Sequence, residues 1–461
     1  LREGDKINIT ASPKNIHDFF EAIGSFKRPV KSVMIVGGSM IAYYLANQLI
    51  DMRIDVKIVE QNQKRCEELS ELLPKASIVC ANATEKDVLL EEGIMDFDGF
   101  VALTGLDEMN IIYGMYAKAK ELFEARIEDG TYITDEERCY YIYELIMDGR
   151  SQKGIVACAS IDDYINEVIK KHENTRAEKE IDRIRHVDTL SAQTGPIFLA
   201  YRSNEIIAGV IAKTMKNEKL YGFTADDGIT HNVWKIADAN DIQVIADAFA
   251  ATDSIYIADG HHRAASAVKV GLKRREENPS YTGDEEFNFF LSVLFAEEEL
   301  MIMPYNRVVK DLNSNTKEEF FAKISENFEV VEMGSENYAP MAKGEFGMLL
   351  DDTWYKLVAK VSIPEGNPVD CLDVAVLQDY LLKPILGIDD PKTDKRIDFV
   401  GGIRGLDELK RRCNSDMMIA FSMYPTSITE LFDVADAGLL MPPKSTWFEP
   451  KLRSGIFIHR F

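Results

Sequence analysis

The chain has 461 residues, 46% of them hydrophobic, 28% charged and 10% aromatic, which is enough for two or three domains with buried cores. Its net charge of -24, from 77 acidic and 53 basic residues, argues against general nucleic-acid binding, which needs a clustered basic surface. No run of about 18 apolar residues occurs, so no segment is expected to span a bilayer as a helix. No cleavable signal is visible, in a chain that starts at Leu1 rather than methionine. The six cysteines, at 66, 80, 139, 158, 371 and 413, show no close metal spacing, so no metal site is expected from them. They read as reduced, mostly buried thiols of a cytoplasmic protein.

In chain order, residues 1–24 predict a strand at Lys6–Ile9 and a helix around Asp18–Phe20, and 25–30 form a linker. From Ser32 the pattern becomes regular. Val33–Val36 is a continuous apolar run, as a parallel strand buried on both faces requires. Gly37-Gly38-Ser39 breaks it, and a helix follows with Ile41, Leu45 and Leu49 on one stripe. Val56–Val59 is a second strand closed by Glu60, and further βα units follow at Ser77–Cys80 and Gly99–Leu103. This alternation predicts a parallel, doubly wound sheet that stops near Lys120 after four strands, where a complete dinucleotide-binding domain has about six. Beyond it, Cys139–Leu145 and Gly154–Ile161 predict an antiparallel hairpin around Asp148-Gly149-Arg150. The remainder mixes helices and strands. The expected fold class is α/β: a truncated Rossmann-like parallel sheet followed by a larger α+β domain.

Strand, glycine turn, helix, strand and acid is the dinucleotide-binding layout. Gly37, Gly38 and Ser39 stand where phosphates approach the backbone, and Glu60 where an acid binds ribose hydroxyls. Ser39 replaces the expected second-position glycine and would crowd a phosphate. A sheet of the same kind whose nucleotide site is lost or altered fits these residues equally well. Residues 30–120 resemble the regulatory nucleotide-binding (RCK, Trk-type) domains of potassium uptake systems. The likeness is carried by Ile35-Val36-Gly37-Gly38, Val59-Glu60-Gln61-Asn62, Asn82-Ala83-Thr84, Leu89–Ile94, Ala102-Leu103-Thr104 and Asn110-Ile111-Ile112. Residues 1–24 resemble the tail of the companion small domain. The resemblance implies NAD(H) or adenine-nucleotide binding and a membrane potassium transporter as partner, without catalysis.

A second constellation is Asp259-Gly260-His261-His262-Arg263, between the strand Ser254–Ala258 and a helix expected to bury Ala264, Val268 and Leu272. The N–H groups freed at such a turn attract anions. Arg263 can clamp a phosphate, His261 or His262 can serve as general acid or base, and Asp259 can hold a metal or orient an imidazole. Asp259 as a plain helix cap beside packing histidines is the simpler alternative. Lys170–Arg176, containing His172 and Glu173, continues to Asp182, Arg183, His186 and Asp188 as a second polar cluster. A solvated helix laced with ion pairs accounts for it equally. Near the end, Met441–Gly455 combines prolines, lysines and hydroxyls that suit an anion or a structural wrap.

From about 121 to 461 the chain resembles a family known only as domain of unknown function 1015. The match runs through Met147-Asp148-Gly149-Arg150, Lys171-His172-Glu173, Gln193-Thr194-Gly195-Pro196, Asp259–Arg263, Pro304-Tyr305-Asn306-Arg307 and Met441–Lys451, with the family's own N-terminal segment replaced. Its Gly-x-His-Arg turn is similar to the phosphate box of the ParB/sulfiredoxin superfamily, which includes a free-serine kinase. That likeness implies that Gly260, His262 and Arg263 contact a nucleotide phosphate and that Asp259 or His261 serves chemistry or Mg²⁺. The expectation is a phosphotransferase that uses ATP or ADP with Mg²⁺ on a small hydroxyl metabolite. The alternative is a non-catalytic NAD(H) or ATP-binding regulator of potassium uptake. The two resemblances meet near Ala117–Lys120, both cut short at the seam. Such a seam fits a natural fusion or the joining of two gene fragments, and truncated edges predict poor solubility.

Overall fold

The computed structural model describes residues 30–81, 97–103, 119–175, 177–360 and 366–461. The strand expected at 6–9, the helix near 18–20 and the motifs at 82–84, 89–94 and 110–112 lie outside these residues. The chain divides into two compact units, Leu1–Ile133 and Thr134–Phe461.

The first unit contains a four-stranded parallel sheet of β1 (Ser32–Val36), β2 (Asp55–Glu60), β3 (Ser77–Cys80) and β4 (Gly99–Ala102), ordered β3-β2-β1-β4. Alternation along β1 explains its continuous apolar run. Val33 and Ile35 pack on one face against α1 (Met40–Asp51) and α2 (Gln63–Leu72), while Met34 and Val36 pack on the other with Val59. The buried stripe of α1 differs from the expected one. Ala42 and Ala46 are fully buried, Leu45 and Leu49 only flank them, and Ile41 is 67% exposed. Small residues let the helix lie close to the sheet, and the larger neighbours are turned outward.

The second unit is a mixed α/β body built on two sheets. Its first strands are β5 (Tyr140–Met147) and β6 (Arg150–Ser160), the expected hairpin, paired from Tyr141↔Val156 to Met147↔Arg150. The turn residues Asp148 and Gly149 have φ of 50° and 79°, the left-handed pair of a two-residue hairpin turn. Then come β7 (Ile169–Lys170), β8 (Ala192–Gln193), β9 (Ile197–Tyr201), β10 (Tyr221–Thr224), β11 (Thr230–Ile236), β12 (Ile255–Asp259) and β13 (Phe289–Ala296). Except for β8, these form an eight-stranded sheet ordered β10-β11-β5-β6-β13-β9-β12-β7. After β14 (Ile302–Met303), the strands β15 (Tyr305–Val309), β16 (Phe328–Gly334), β17 (Glu345–Leu350), β18 (Thr353–Ala359), β19 (Ile397–Gly401) and β20 (Ile419–Met423) form a six-stranded antiparallel sheet ordered β16-β18-β17-β20-β15-β19. β21 (Trp447–Phe448) pairs with β14, and β22 (His459–Arg460) with β8.

One continuous core joins the two sheets, with Phe198, Val293 and Phe295 from the first and Phe346, Leu357 and Phe421 from the second. The opposite face of the eight-stranded sheet packs against helices that include α4 (His261–Glu277), through Ala264 and Val268. Leu272, expected in that stripe, is 38% exposed. The next residue inward is Gly271, where a Cβ would lie 2.5 Å from the Phe287 carbonyl oxygen, so backbone fills the space. The preceding α3 (Ala177–Leu190) is tied to α4 by Asp188, whose carboxylate meets Arg274 at 2.7 Å and Lys273 at 3.2 Å.

Candidate functional site

At the N-terminal glycine turn, Gly37 adopts φ 100°, a left-handed conformation that disfavours any side chain, and its N–H donates to the Val59 carbonyl at 2.8 Å. Glu60 folds back onto the turn. Its Oε2 accepts from the Gly38 N–H at 2.5 Å and its Oε1 from the Asn62 N–H at 2.8 Å. A Cβ on Gly38 would come within 2.9 Å of that carboxylate, so only glycine lets the two meet. Ser39 caps α1, its hydroxyl accepting from the Ala42 N–H at 3.2 Å. The Ser39 hydroxyl is therefore engaged with its own helix, and one of the N–H groups that would bind a phosphate is already satisfied.

The second site forms around the Gly260 turn. β12 delivers Asp259, and Gly260 with φ 97° turns the chain into the 17-residue α4, the glycine itself supplying no side-chain cap. β7 pairs with β12 in parallel and leads into His172 and Glu173. The Met441 N–H donates to the His172 carbonyl at 2.8 Å and draws the C-terminal wrap over the turn. The result is a cavity of about 300 Å³ whose polar walls are His172, Glu173, Arg183, Asp259–Arg263, Lys444–Thr446 and Lys451, beside Tyr305 and Trp447.

The predicted residues Asp259, Gly260, His261, His262, Arg263, His172 and Glu173 are thus brought together, and Arg183, Lys444, Lys451 and Tyr305 join them. His186 and Asp188, from the same polar cluster as Arg183, are not among the lining residues. Four cationic side chains (Arg183, Arg263, Lys444, Lys451) face the cavity against two carboxylates (Glu173, Asp259), the reverse of the chain's overall balance. Lys444 and Lys451 were noticed in the sequence only as anion-suited. Their distance from the turn along the chain hid their membership of the site.

Arg263 departs from its expected free clamp. Its Nη1 donates to the Pro196 carbonyl at 2.6 Å and its Nη2 to Asp259 Oδ2 at 3.0 Å, so both terminal nitrogens are engaged before any ligand arrives. Burial holds its guanidinium below the usual arginine range. Asp259 Oδ1 has the Lys451 ammonium at 3.5 Å, and that ammonium also lies 5.3 Å from the centre of the Trp447 ring. Lys444 stands 5.5 Å over Tyr305. Its carbonyl accepts from Arg307 at 3.1 Å, and burial brings that arginine down to about 10. Arg307 therefore anchors the loop that presents Lys444.

Two of the histidines that line the cavity, His261 and His172, are buried. His261 is buried, and desolvation, helped by the neighbouring His262 and Lys171, lowers its pKa to about 3. His172 is buried edge-on against it, ring centres 4.4 Å apart, and desolvation also holds His172 well below the ordinary histidine range. Both rings are therefore neutral at physiological pH. His172 Nδ1 is buried with no hydrogen-bond partner among the described residues.

These depressed values have a consequence for stability. Between the ordinary value of 6.5 and about 3, the unfolded chain binds a proton at His261 that the folded chain excludes. Folding free energy contributed at neutral pH is therefore lost as pH falls from about 6.5 towards 3, by up to ~1.4 kcal/mol per pH unit for this one ring. Urea unfolding at pH 7 and pH 5 is expected to show that loss, and a His261→Asn chain is expected to show a flatter profile. Equal slopes in the two proteins would contradict it.

Residues 33–138 match the TrkA-N domain, and residues 102–375 match the family described as "Protein of unknown function (DUF1015)". The Trk system potassium uptake protein TrkA of Vibrio alginolyticus is 35% identical over 136 residues, 29% of this chain and 29% of that protein. TrkA of Halomonas elongata is 38% identical over 118 residues, 26% of each. The chain thus spans less than a third of the length of these relatives. Among solved structures, a free serine kinase in complex with AMP aligns at 13% identity with a TM-score of 0.32, covering 65% of this chain and 90% of that one. A conserved hypothetical protein from Pyrococcus furiosus aligns at 15% identity with a TM-score of 0.30, covering 65% and 94%. Among the described residues no helix is long and apolar enough to cross a membrane. The motifs that converge on the Gly260 cavity fall mostly within the segment 102–375, more than half of the sequence, and by that match the chain belongs to the DUF1015 family, carrying a TrkA-N segment ahead of it.

Proposed function

We propose that the second unit binds the phosphates of ATP at the Gly260 turn and transfers a phosphoryl group to the hydroxyl of a small metabolite. The observation that carries this reading is the N-terminus of α4 opening into a cavity lined by Arg183, Arg263, Lys444 and Lys451. An oriented set of N–H groups and cations is what a polyphosphate needs, and positioning with charge stabilisation is most of what phosphoryl transfer needs.

Glu173 is exposed, lines the cavity and makes no ion pair with another described residue. It is the base in this scheme, a role the neutral, buried His261 fills poorly. The acceptor O–H bond breaks towards the Glu173 carboxylate while its oxygen bonds to the γ-phosphorus. The bond from that phosphorus to the bridging oxygen breaks, and ADP leaves with the electron pair. Asp259, with one oxygen only loosely held by Lys451, would hold the Mg²⁺ that accompanies the nucleotide and shields its phosphate charge.

Phosphorus NMR of the full chain with ATP, Mg²⁺ and a panel of hydroxyl metabolites, serine among them, tests this. A new phosphomonoester signal is expected with at least one acceptor, together with ADP. ATP that binds yet is never transferred would reject the enzyme reading and leave a binding site.

A second reading applies to the first unit: a Trk-type regulatory domain that binds NAD(H) or an adenine nucleotide and acts on a membrane potassium transporter. The Glu60 carboxylate, held against the glycine turn by the Gly38 and Asn62 amides, favours it, since its remaining lone pairs can accept from ribose hydroxyls. NADH binding that is lost in Glu60→Gln supports this reading. Binding unchanged by that substitution sinks it.

A further inference from the structure

The back wall of the Gly37 turn is the N-terminal part of α2, which contacts Gly38 and Glu60. The Asn62 N–H holds Glu60 Oε1 at 2.8 Å, and Arg65 Nε holds the Gly38 carbonyl at 2.6 Å. Leu69 reaches to within 2.8 Å of where a Gly38 Cβ would stand. In that same helix the Cys66 thiol donates to the Glu60 carbonyl at 3.2 Å. On the neighbouring strand Cys80 is the register partner of Glu60, and the Ala81 N–H donates to the same Glu60 carbonyl at 2.9 Å. Both cysteines consequently adjoin Glu60, Cys66 through its thiol and Cys80 through the pairing of the two strands. Cys66 is buried and Cys80 is exposed.

We propose that Cys66 and Cys80 form a reversible disulfide in response to hydroperoxides, and that this bond weakens nucleotide binding at the Gly37–Glu60 corner. The second half of the proposal rests on the reading of that corner as a nucleotide site.

The exposed thiol reacts first, because burial pushes the Cys66 thiol up to about 12 and keeps it protonated. The Cys80 thiolate attacks a peroxide oxygen, the O–O bond breaks, and hydroxide leaves behind a sulfenic acid. The Cys66 sulfur then attacks the Cys80 sulfur. An S–S bond forms, the sulfenic S–O bond breaks, and the departing hydroxide takes the Cys66 proton as water. Two thiols are oxidised by two electrons and one hydrogen peroxide is reduced to two waters. The bond removes the Cys66 S–H from the Glu60 carbonyl and draws the first turn of α2 towards the end of β3. Asn62 and Arg65 carry that shift to Glu60 and Gly38.

The test treats the full chain with hydrogen peroxide, blocks remaining thiols, and maps peptides by mass spectrometry before and after dithiothreitol. A linked peptide joining Cys66 to Cys80, lost on reduction, is expected, and Cys80→Ser should prevent it while leaving NADH binding by the reduced protein unchanged. Oxidised protein should bind NADH about tenfold more weakly than reduced protein. Oxidation that leaves 66 and 80 unlinked overturns the proposal, as does a complete disulfide with unchanged NADH affinity. Reduced protein that binds neither NADH nor ADP would refute the nucleotide reading instead. The disulfide is then judged by the peptide map and its effect by amide exchange at Gly38 and Asn62, which is expected to quicken on oxidation and, if unchanged, counts against the proposal.

Discussion

Glu173→Gln is expected to lower phosphoryl transfer about a thousandfold while changing ATP affinity less than about threefold. The amide keeps the size and polarity of the carboxylate but cannot take a proton from the acceptor hydroxyl. Glu173 is exposed at the cavity wall, so the substitution exposes no core and breaks no ion pair with a described residue. Stability should therefore be unchanged within about 0.5 kcal/mol. A loss of kcat without a matching rise in KM is the signature of an interaction made only in the transition state. A variant that keeps its rate would take the base role away from Glu173, and one that loses ATP binding would make it a binding residue.

Arg263→Ala is expected to weaken ATP binding about a hundredfold and to lower stability by about 2–3 kcal/mol. Two effects combine. The Pro196 carbonyl and Asp259 lose donors at 2.6 and 3.0 Å, and Asp259 is left with Lys451 at 3.5 Å. The turn also loses the cation that faces it. Arg263→Lys separates the two effects, because a single ammonium restores charge but cannot reach two acceptors set apart for a planar fork. Chemical denaturation and ATP titration of the two variants should show affinity partly restored by lysine and stability hardly at all. Equal behaviour of both variants with the parent would leave Arg263 without a part in the site.

The first unit was legible in outline because a parallel strand buried on both faces leaves an unbroken apolar run, and Val33–Val36 is one. Its helix was read less well. Periodicity favoured the bulky Ile41, but close packing against the sheet selects the small Ala42 and Ala46, a choice set by distance between layers rather than by hydrophobicity. The same reason exposes Leu272 beside a buried Gly271 in α4. The hairpin of β5 and β6 was legible because Asp148-Gly149 is a local signal that fixes register by itself.

At the site, local signals found the Asp259–Arg263 turn, and long-range contacts supplied the rest. Nothing near Lys444 in sequence says that the Met441 amide will dock on the His172 carbonyl, or that Arg307 will hold the lysine's own carbonyl. Burial likewise reassigns groups that the sequence can only enumerate. His261 is a plausible acid–base residue by type, but a desolvated ring against a second imidazole is a neutral wall. Arg263 is a phosphate clamp by type, but its fork already joins β12 to the loop before β9.

The most direct test of the central claim is calorimetric titration of ATP with Mg²⁺ into the full chain carrying Glu60→Gln, which removes the acid of the first nucleotide corner, and then into the same chain with Lys444→Ala and Lys451→Ala added. If the Gly260 cavity holds the phosphates, the first protein binds ATP at one site, and the second binds at least about tenfold more weakly, with a shallower dependence on salt. An equal affinity in the two proteins, or no binding in the first, would contradict the account.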